Sequence, residues 1–158
     1  MPKREMQLDA VDRKILRALQ ANGRLSNVAL AEQLGMSPSP CLRRVKQLEQ
    51  AGVIERYVAI VDPRKAGMGL TAFVEVKVPQ VADRAIVDEF KQAVLDESSI
   101  VGCFITAGQY ALLLRVIARD MDHYSKLAQD VLLRLPGVQD LRTSFVLDAL
   151  KDTTEFAL

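Results

Sequence analysis

Ser26-Asn27-Val28-Ala29-Leu30-Ala31-Glu32-Gln33-Leu34-Gly35-Met36-Ser37-Pro38-Ser39-Pro40-Cys41-Leu42-Arg43-Arg44-Val45-Lys46-Gln47-Leu48-Glu49-Gln50-Ala51-Gly52 reads as two helices joined by a tight turn. Ser26 is an N-cap, Leu30, Ala31 and Leu34 share one helical face, and Gly35 supplies a stop that admits positive φ. The chain restarts at once. Ser37 caps the second helix, and Pro38 occupies its first position, where a missing N–H costs nothing. At about 100° per residue, Cys41, Leu42, Val45 and Leu48 turn inward, while Ser39, Arg43, Lys46, Gln47 and Gln50 turn outward with Arg44 on the flank. This is a helix-turn-helix whose second helix presents cations and amide donors. An α-helix fits the major groove of DNA, where Arg and Lys read guanine and Gln reads adenine. A solvated helical face is the alternative for such residues, and the capped turn between two short helices favours DNA.

Working outward, Asp9 caps a preceding helix with Val11, Ile15, Leu16 and Leu19 as its apolar stripe, ending at Asn22-Gly23 and completing a three-helix core. After the second helix, Val53 to Val61 is a β-prone run closed by Asp62-Pro63, which suits the strand of a wing with Arg56 near phosphates, or a plain linker strand. Pro63, Gly67 and Gly69 mark a boundary, so the expected division is 1–61 for DNA binding, 62–69 as linker and 70–158 as a second domain.

In the second domain, Ala72, Val74, Val76 and Val78 alternate with Phe73, Glu75 and Lys77, the signature of a half-buried strand. Asp83 to Asp96 is an amphipathic helix with Ile86, Phe90, Ala93 and Val94 inward. Ile100–Thr106 and Tyr110–Ala118 form a hairpin across Ala107-Gly108-Gln109, residues 120–134 form a second helix stopped by Pro136-Gly137, and Val138–Leu147 is the last strand. The order β-α-β-β-α-β is that of a ferredoxin-like split βαβ fold. Two helices cover one face of such a sheet, so the other is expected to be buried by self-association.

The 158 residues are 49% apolar with a net charge of +1. Residues 1–62 hold ten Lys or Arg against seven Asp or Glu, and 63–158 hold eleven against thirteen, so the basic half is the helix-turn-helix half. Its excess is small, and tight DNA binding requires several copies acting together. Cys41 and Cys103 have no metal-ligand spacing and read as small apolar core residues, consistent with a reduced compartment. No apolar run approaches the ~20 residues of a membrane span, and no signal peptide is recognisable, so a cytoplasmic protein with no membrane partner is expected, nucleoid-associated if the helix-turn-helix binds DNA.

Catalytic chemistry finds little support. His123 is the one histidine and reads as a solvated helical residue beside Tyr124, and Asp96-Glu97-Ser98-Ser99 reads as a helix end. Phosphate-loop, dinucleotide and metal motifs are absent, so no cofactor, no metal and no catalytic residue is expected.

The sequence resembles the Lrp/AsnC (leucine-responsive and asparagine-regulator, feast/famine) family of transcription factors. Asn22-Gly23-Arg24-Leu25-Ser26-Asn27 and Ser37-Pro38-Ser39-Pro40-Cys41-Leu42-Arg43-Arg44-Val45 carry the resemblance in the DNA-binding half, and Leu132-Leu133-Arg134-Leu135-Pro136-Gly137-Val138 with Arg142-Thr143-Ser144 in the other. It implies an α+β chain, an N-terminal winged helix-turn-helix followed by a C-terminal ferredoxin-like (RAM-type) domain, in which the linker takes part in pairing subunits. DNA contacts are expected from Ser26, Asn27, Ser37, Ser39, Pro40, Arg43, Arg44, Lys46, Gln47 and Arg56. The partners expected are a pseudo-palindromic double-stranded operator, a homodimer assembling to an octamer, and an amino-acid effector held between dimers.

The resemblance also implies an effector site at Thr106, Ala107, Gly108, Gln109, Tyr110 and Ala111 with the Thr143-Ser144 pair. The family's loop commonly reads Gly-Asp-Tyr/Phe-Asp; here Gly108 and Tyr110 match, while Gln109 and Ala111 replace the two carboxylates. A free amino acid thereby loses a charge-assisted hydrogen bond to its ammonium, worth ~1.5–3 kcal/mol. Two other readings stay open: an effector-independent, nucleoid-like architectural DNA-binding protein, and a small enzyme on the ferredoxin-like domain.

Overall fold

The computed structural model describes residues 7–79 and 84–158. The chain forms two compact units, one of the described residues up to Ile60 together with Lys151–Leu158, the other Val61–Leu150. The segment expected to be a linker, 62–69, belongs to the second unit, where the Asp62 carboxylate accepts from the N–H groups of Arg64 (3.0 Å) and Lys65 (3.3 Å) and starts a turn. The C-terminal boundary also differs from the sequence expectation: residues 151–158 pack with the first unit.

The first unit is built on α1 (Ala10–Ala21), α2 (Asn27–Gln33) and α3 (Pro38–Gln50). Asp9 starts α1 by accepting from the N–H groups of Val11 and Asp12, both at 2.8 Å, and the Asp12 carboxylate accepts from the Asp9 N–H at 3.2 Å, so two orphan donor sets are satisfied reciprocally. Ser26 Oγ accepts from the Ala29 N–H at 3.1 Å and starts α2. Gly35 at φ 64° turns the chain while the Met36 N–H returns to the Ala31 carbonyl at 2.8 Å, a stop that a side chain at Gly35 would strain. Ile15, Leu30, Cys41 and Leu48 are fully buried at the centre of this unit.

In this unit the local pattern is overridden at Leu42 and over 53–61. Leu42, assigned inward by periodicity, is 41% exposed, because α3 is gripped on the side of Cys41 and Leu48 only. The strand expected over 53–61 does not form: the segment is extended, with Val58, Ile60 and Val61 exposed, and a strand exists only where a second strand accepts its hydrogen bonds.

The second unit runs β1 (Leu70–Lys77), α4 (Arg84–Asp96), β2 (Ile100–Ile105), β3 (Leu112–Ala118), α5 (Met121–Asp130), a 3₁₀ turn (Leu132–Arg134) and β4 (Asp140–Phe145). The sheet order is β2-β3-β1-β4 with every neighbouring pair antiparallel, the ferredoxin-like arrangement. Ala72, Val74 and Val76 of β1 and Leu114, Val116 and Ala118 of β3 are buried with Phe90 and Val94 of α4 and Tyr124 and Leu127 of α5. Asp83, the expected first residue of α4, lies outside the described residues, and Ile86, expected inward, is 38% exposed. The helix expected over 120–134 ends at Asp130, where Val131 leaves helical geometry and the chain tightens into the 3₁₀ turn. Cys103, expected in the core, is exposed because β2 is an edge strand.

Phe73, Glu75 and Lys77 point to the face of the sheet opposite the helices, and by register Leu113, Arg115 and Ile117 share that face. Phe73 is 38% exposed there. Alternation of this kind makes one face core and the other a surface available to another body.

Candidate DNA-reading and effector sites

In α3 the side chains of Ser39, Pro40, Arg43, Lys46 and Gln47 are all exposed, and no hydrogen bond or ion pair ties them to another described residue. Ser37 has N-cap backbone geometry but its hydroxyl makes no cap bond. Arg56 is exposed in the extended segment that follows Ser37's helix. These are groups held out to solvent from a rigid helix and its flank.

The remaining expected contacts have work inside the unit. Ser26 caps α2, and Asn27 Nδ2 donates to the Pro38 carbonyl at 2.8 Å, tying the start of α2 to the start of α3. The Arg44 guanidinium donates through one nitrogen to Asp9 Oδ2 and Asp12 Oδ1, both at 2.8 Å. Asp12 is only 3% exposed, so this arginine neutralises a buried carboxylate at the start of α1. Hydrogen bonds to the two carboxylates raise the Arg44 pKa further, and Asp9 is held below the usual carboxylate value by the Asp12 N–H first and Arg44 second. Adjacent residues therefore differ in kind: Arg43 faces outward, and Arg44 clamps α3 to α1. Tyr57 donates to Glu49 Oε1 at 3.0 Å; burial, then Glu49, pushes its phenol up to about 12.

In the second unit, Thr106 closes the hairpin between β2 and β3. Its N–H donates to the Ala111 carbonyl and its hydroxyl to the Tyr110 carbonyl, each at 2.8 Å. Ala107, Gly108 and Gln109 stand exposed at the tip, and Gly108 has φ 143° with no atom within 4 Å of the place its Cβ would take. Backbone groups at such a glycine are open to a ligand. The Tyr110 hydroxyl donates to Asp140 Oδ2 at 2.8 Å, and the Arg142 guanidinium stacks 5.1 Å from the Tyr110 ring centre. That hydrogen bond to Asp140 is the first cause of the raised Tyr110 pKa.

Thr143 and Ser144 are adjacent on β4 and so face opposite sides of the sheet. Thr143 lies opposite the buried Val74 and its hydroxyl pairs with the Tyr124 hydroxyl on the helix side, where Tyr124 also meets Phe145 edge-on with ring centres 5.0 Å apart. Ser144 lies opposite Phe73 on the other face. The structure brings the hairpin to Asp140 and Arg142, which share the Ser144 face, and leaves Thr143 on the other. Sequence reasoning missed Asp140, Arg142 and the opposing Glu75; their signal was the period of two that Asp140, Arg142 and Ser144 keep along β4. Among the described residues no three His, Cys, Asp or Glu side chains are grouped to hold a metal, and no helix is long and apolar enough to cross a membrane. His123 Nδ1 accepts from the Arg119 N–H at 3.2 Å, a local role at the start of α5.

A capped helix-turn-helix with a bare cationic outer face, carried on one chain with a ferredoxin-like sheet, defines a DNA-binding regulator. Residues 8–55 match the family model for winged helix-turn-helix DNA-binding, and residues 71–156 match that of the Lrp/AsnC ligand binding domain. The leucine-responsive regulatory proteins of Klebsiella pneumoniae and Escherichia coli (strain K12) are each 39% identical to it over 151 residues, covering 96% of this chain and 92% of theirs. A transcriptional regulator from Neisseria meningitidis, solved in complex with L-Met, superposes with a TM-score of 0.89 at 41% identity over 96% of each chain. An AsnC family regulator from Agrobacterium tumefaciens gives 0.88 at 32% identity over 94% of this chain and 96% of that one. The chain belongs to the Lrp/AsnC family of transcriptional regulators.

Proposed function

We propose that α3 reads a pseudo-palindromic operator through Ser39, Pro40, Arg43, Lys46 and Gln47, with Ser37 and Arg56 at phosphates, and that the second unit pairs subunits and binds an amino acid. Ser26, Asn27 and Arg44 contribute by fixing the helices that carry those side chains. The observation that supports this best is the uncommitted outer face of α3 beside the committed Arg44. In a dimer, two copies of α3 enter successive major grooves about 34 Å apart. Dimers assemble to octamers in this reading, the protein resides in the cytoplasm on the nucleoid, and it performs no catalysis.

For the effector, an amino acid places its carboxylate or ammonium at the open Gly108 backbone, as an L-Met complex of the Neisseria meningitidis relative encourages. Gln109 and Ala111 supply no carboxylate for the ammonium. That departure favours a second reading, an architectural DNA-binding protein without an effector. Arg43→Ala tests the DNA face: specific affinity falls by about 1–3 kcal/mol while affinity for random DNA changes little. Equal loss on both DNAs makes Arg43 a phosphate contact. Thermal unfolding against the standard amino acids tests the effector, since a ligand at about 100 times its Kd adds ~2.7 kcal/mol. A flat response to all of them selects the architectural reading.

A further inference from the structure

Residues 151–158 belong to the first unit, separated from the end of β4 only by residues 146–150. Gln20, in the last turn of α1, holds this tail by both ends of its side-chain amide. Nε2 donates to the Phe156 carbonyl at 3.2 Å, and Oε1 accepts from the Phe156 N–H at 3.0 Å. This is the two-bond pattern that one strand residue offers another. Leu158, half-buried, packs against the cluster that contains Ile15 and Leu16.

Most of the tail faces solvent. Residues 151–157 are exposed, Phe156 to 68%, and a hollow bordered by Arg17, Lys151, Thr153 and Glu155 separates tail from helix. The Gln20–Phe156 hydrogen bonds face solvent and Leu158 is only half-buried, so these holds, set against the entropy of ordering the tail, make a reversible attachment.

We propose that residues 151–158 are a detachable strap, an intramolecular peptide ligand of the α1 face that carries Gln20, and that its docking stabilises the DNA-binding unit. α1 is then held at both ends. Arg44 of α3 grips its first turn through Asp9 and Asp12, and the strap grips its last turn through Gln20. Because the strap continues the chain from β4, the chain that leaves the second unit at residue 150 returns to α1 through non-covalent contacts alone.

The test compares the full chain with two variants, Gln20→Ala and a chain shortened after Thr154, by amide hydrogen exchange and thermal unfolding. Gln20→Ala keeps every tail residue and removes only the two hydrogen bonds, which guards against a shortened chain that fails to fold. In the parent, the Phe156 amide is expected to exchange through local opening, faster than the core amide of Leu48. In both variants the last-turn amides of α1 exchange about tenfold faster, and the unfolding of the first unit moves down by about 4–8 °C, with β1 and β3 unchanged. A Phe156 amide as protected as Leu48 shows that the tail is fixed and overturns the proposal. Parent-like α1 exchange and melting in Gln20→Ala overturns it as well.

Discussion

Replacing Arg44 by alanine separates fold from recognition within one pair of neighbouring residues. The substitution strips the guanidinium from Asp12, which is 3% exposed and, among the described residues, keeps the Asp9 N–H at 3.2 Å as its donor. A buried acceptor left short of its partner costs about 1–3 kcal/mol, more when it is charged. The Asp9 arm is half-exposed and screened by water, so it adds little. For a unit this small, each kcal/mol moves the midpoint by about 4–8 °C. Circular dichroism therefore shows the first unit of Arg44→Ala melting about 4–24 °C below the parent, while Arg43→Ala melts with the parent. DNA affinity, measured cold where both variants are folded, reverses the order: Arg43→Ala loses specific binding and Arg44→Ala retains it. The pH dependence has a definite sign. Asp9 is depressed in the fold from 3.8, so its share of the stability is present above that value and is lost as pH falls through the depressed one. Arg44→Ala flattens that acid slope. An Arg44→Ala protein that melts with the parent and loses specific DNA binding would refute the clamp and make Arg44 a reading residue.

At the alkaline end, Tyr57 provides a second sign. Its folded pKa of about 12 exceeds the unfolded value of 10, so the contribution is complete below pH 10 and disappears between 10 and 12. Urea midpoints of Tyr57→Phe therefore converge on those of the parent across that window; parallel curves would refute the raised Tyr57 pKa that burial and Glu49 produce. Leu48→Ala opens a cavity at a fully buried site and lowers stability by about 2–5 kcal/mol, read as a urea midpoint, while Leu42→Ala, on an exposed neighbour, changes it little.

Much of the fold follows from local rules. The three helices of the first unit begin at Asp9, Ser26 and Ser37, each readable as a cap, and Gly35 stops α2 with the positive φ its place after Leu34 requires. The alternation of Ala72, Val74 and Val76 with Phe73 and Glu75 gives β1 and its buried face directly. The order of strands and helices then restricts the sheet to few topologies. The candidate site was legible only where residues act through neighbours in sequence. The hairpin around Gly108 was found by turn chemistry, but Asp140 meets Tyr110 across a separation of 30 residues. No local pattern encodes that contact.

The elements, their amphipathic faces and the basic character of the helix-turn-helix half are written into local sequence, because caps, turns and periodicity act within a few residues. Which charges are free depends on long-range packing. Arg43 and Arg44 are chemically identical and adjacent, and they part because Asp9 and Asp12 lie within reach of Arg44 across separations of 35 and 32 residues. The same holds for the tail, whose bond from Gln20 to Phe156 spans 136 residues, and for the stretch over 53–61, whose β propensity finds no partner strand among the described residues. Propensity states what a segment can become; long-range pairing decides whether it does.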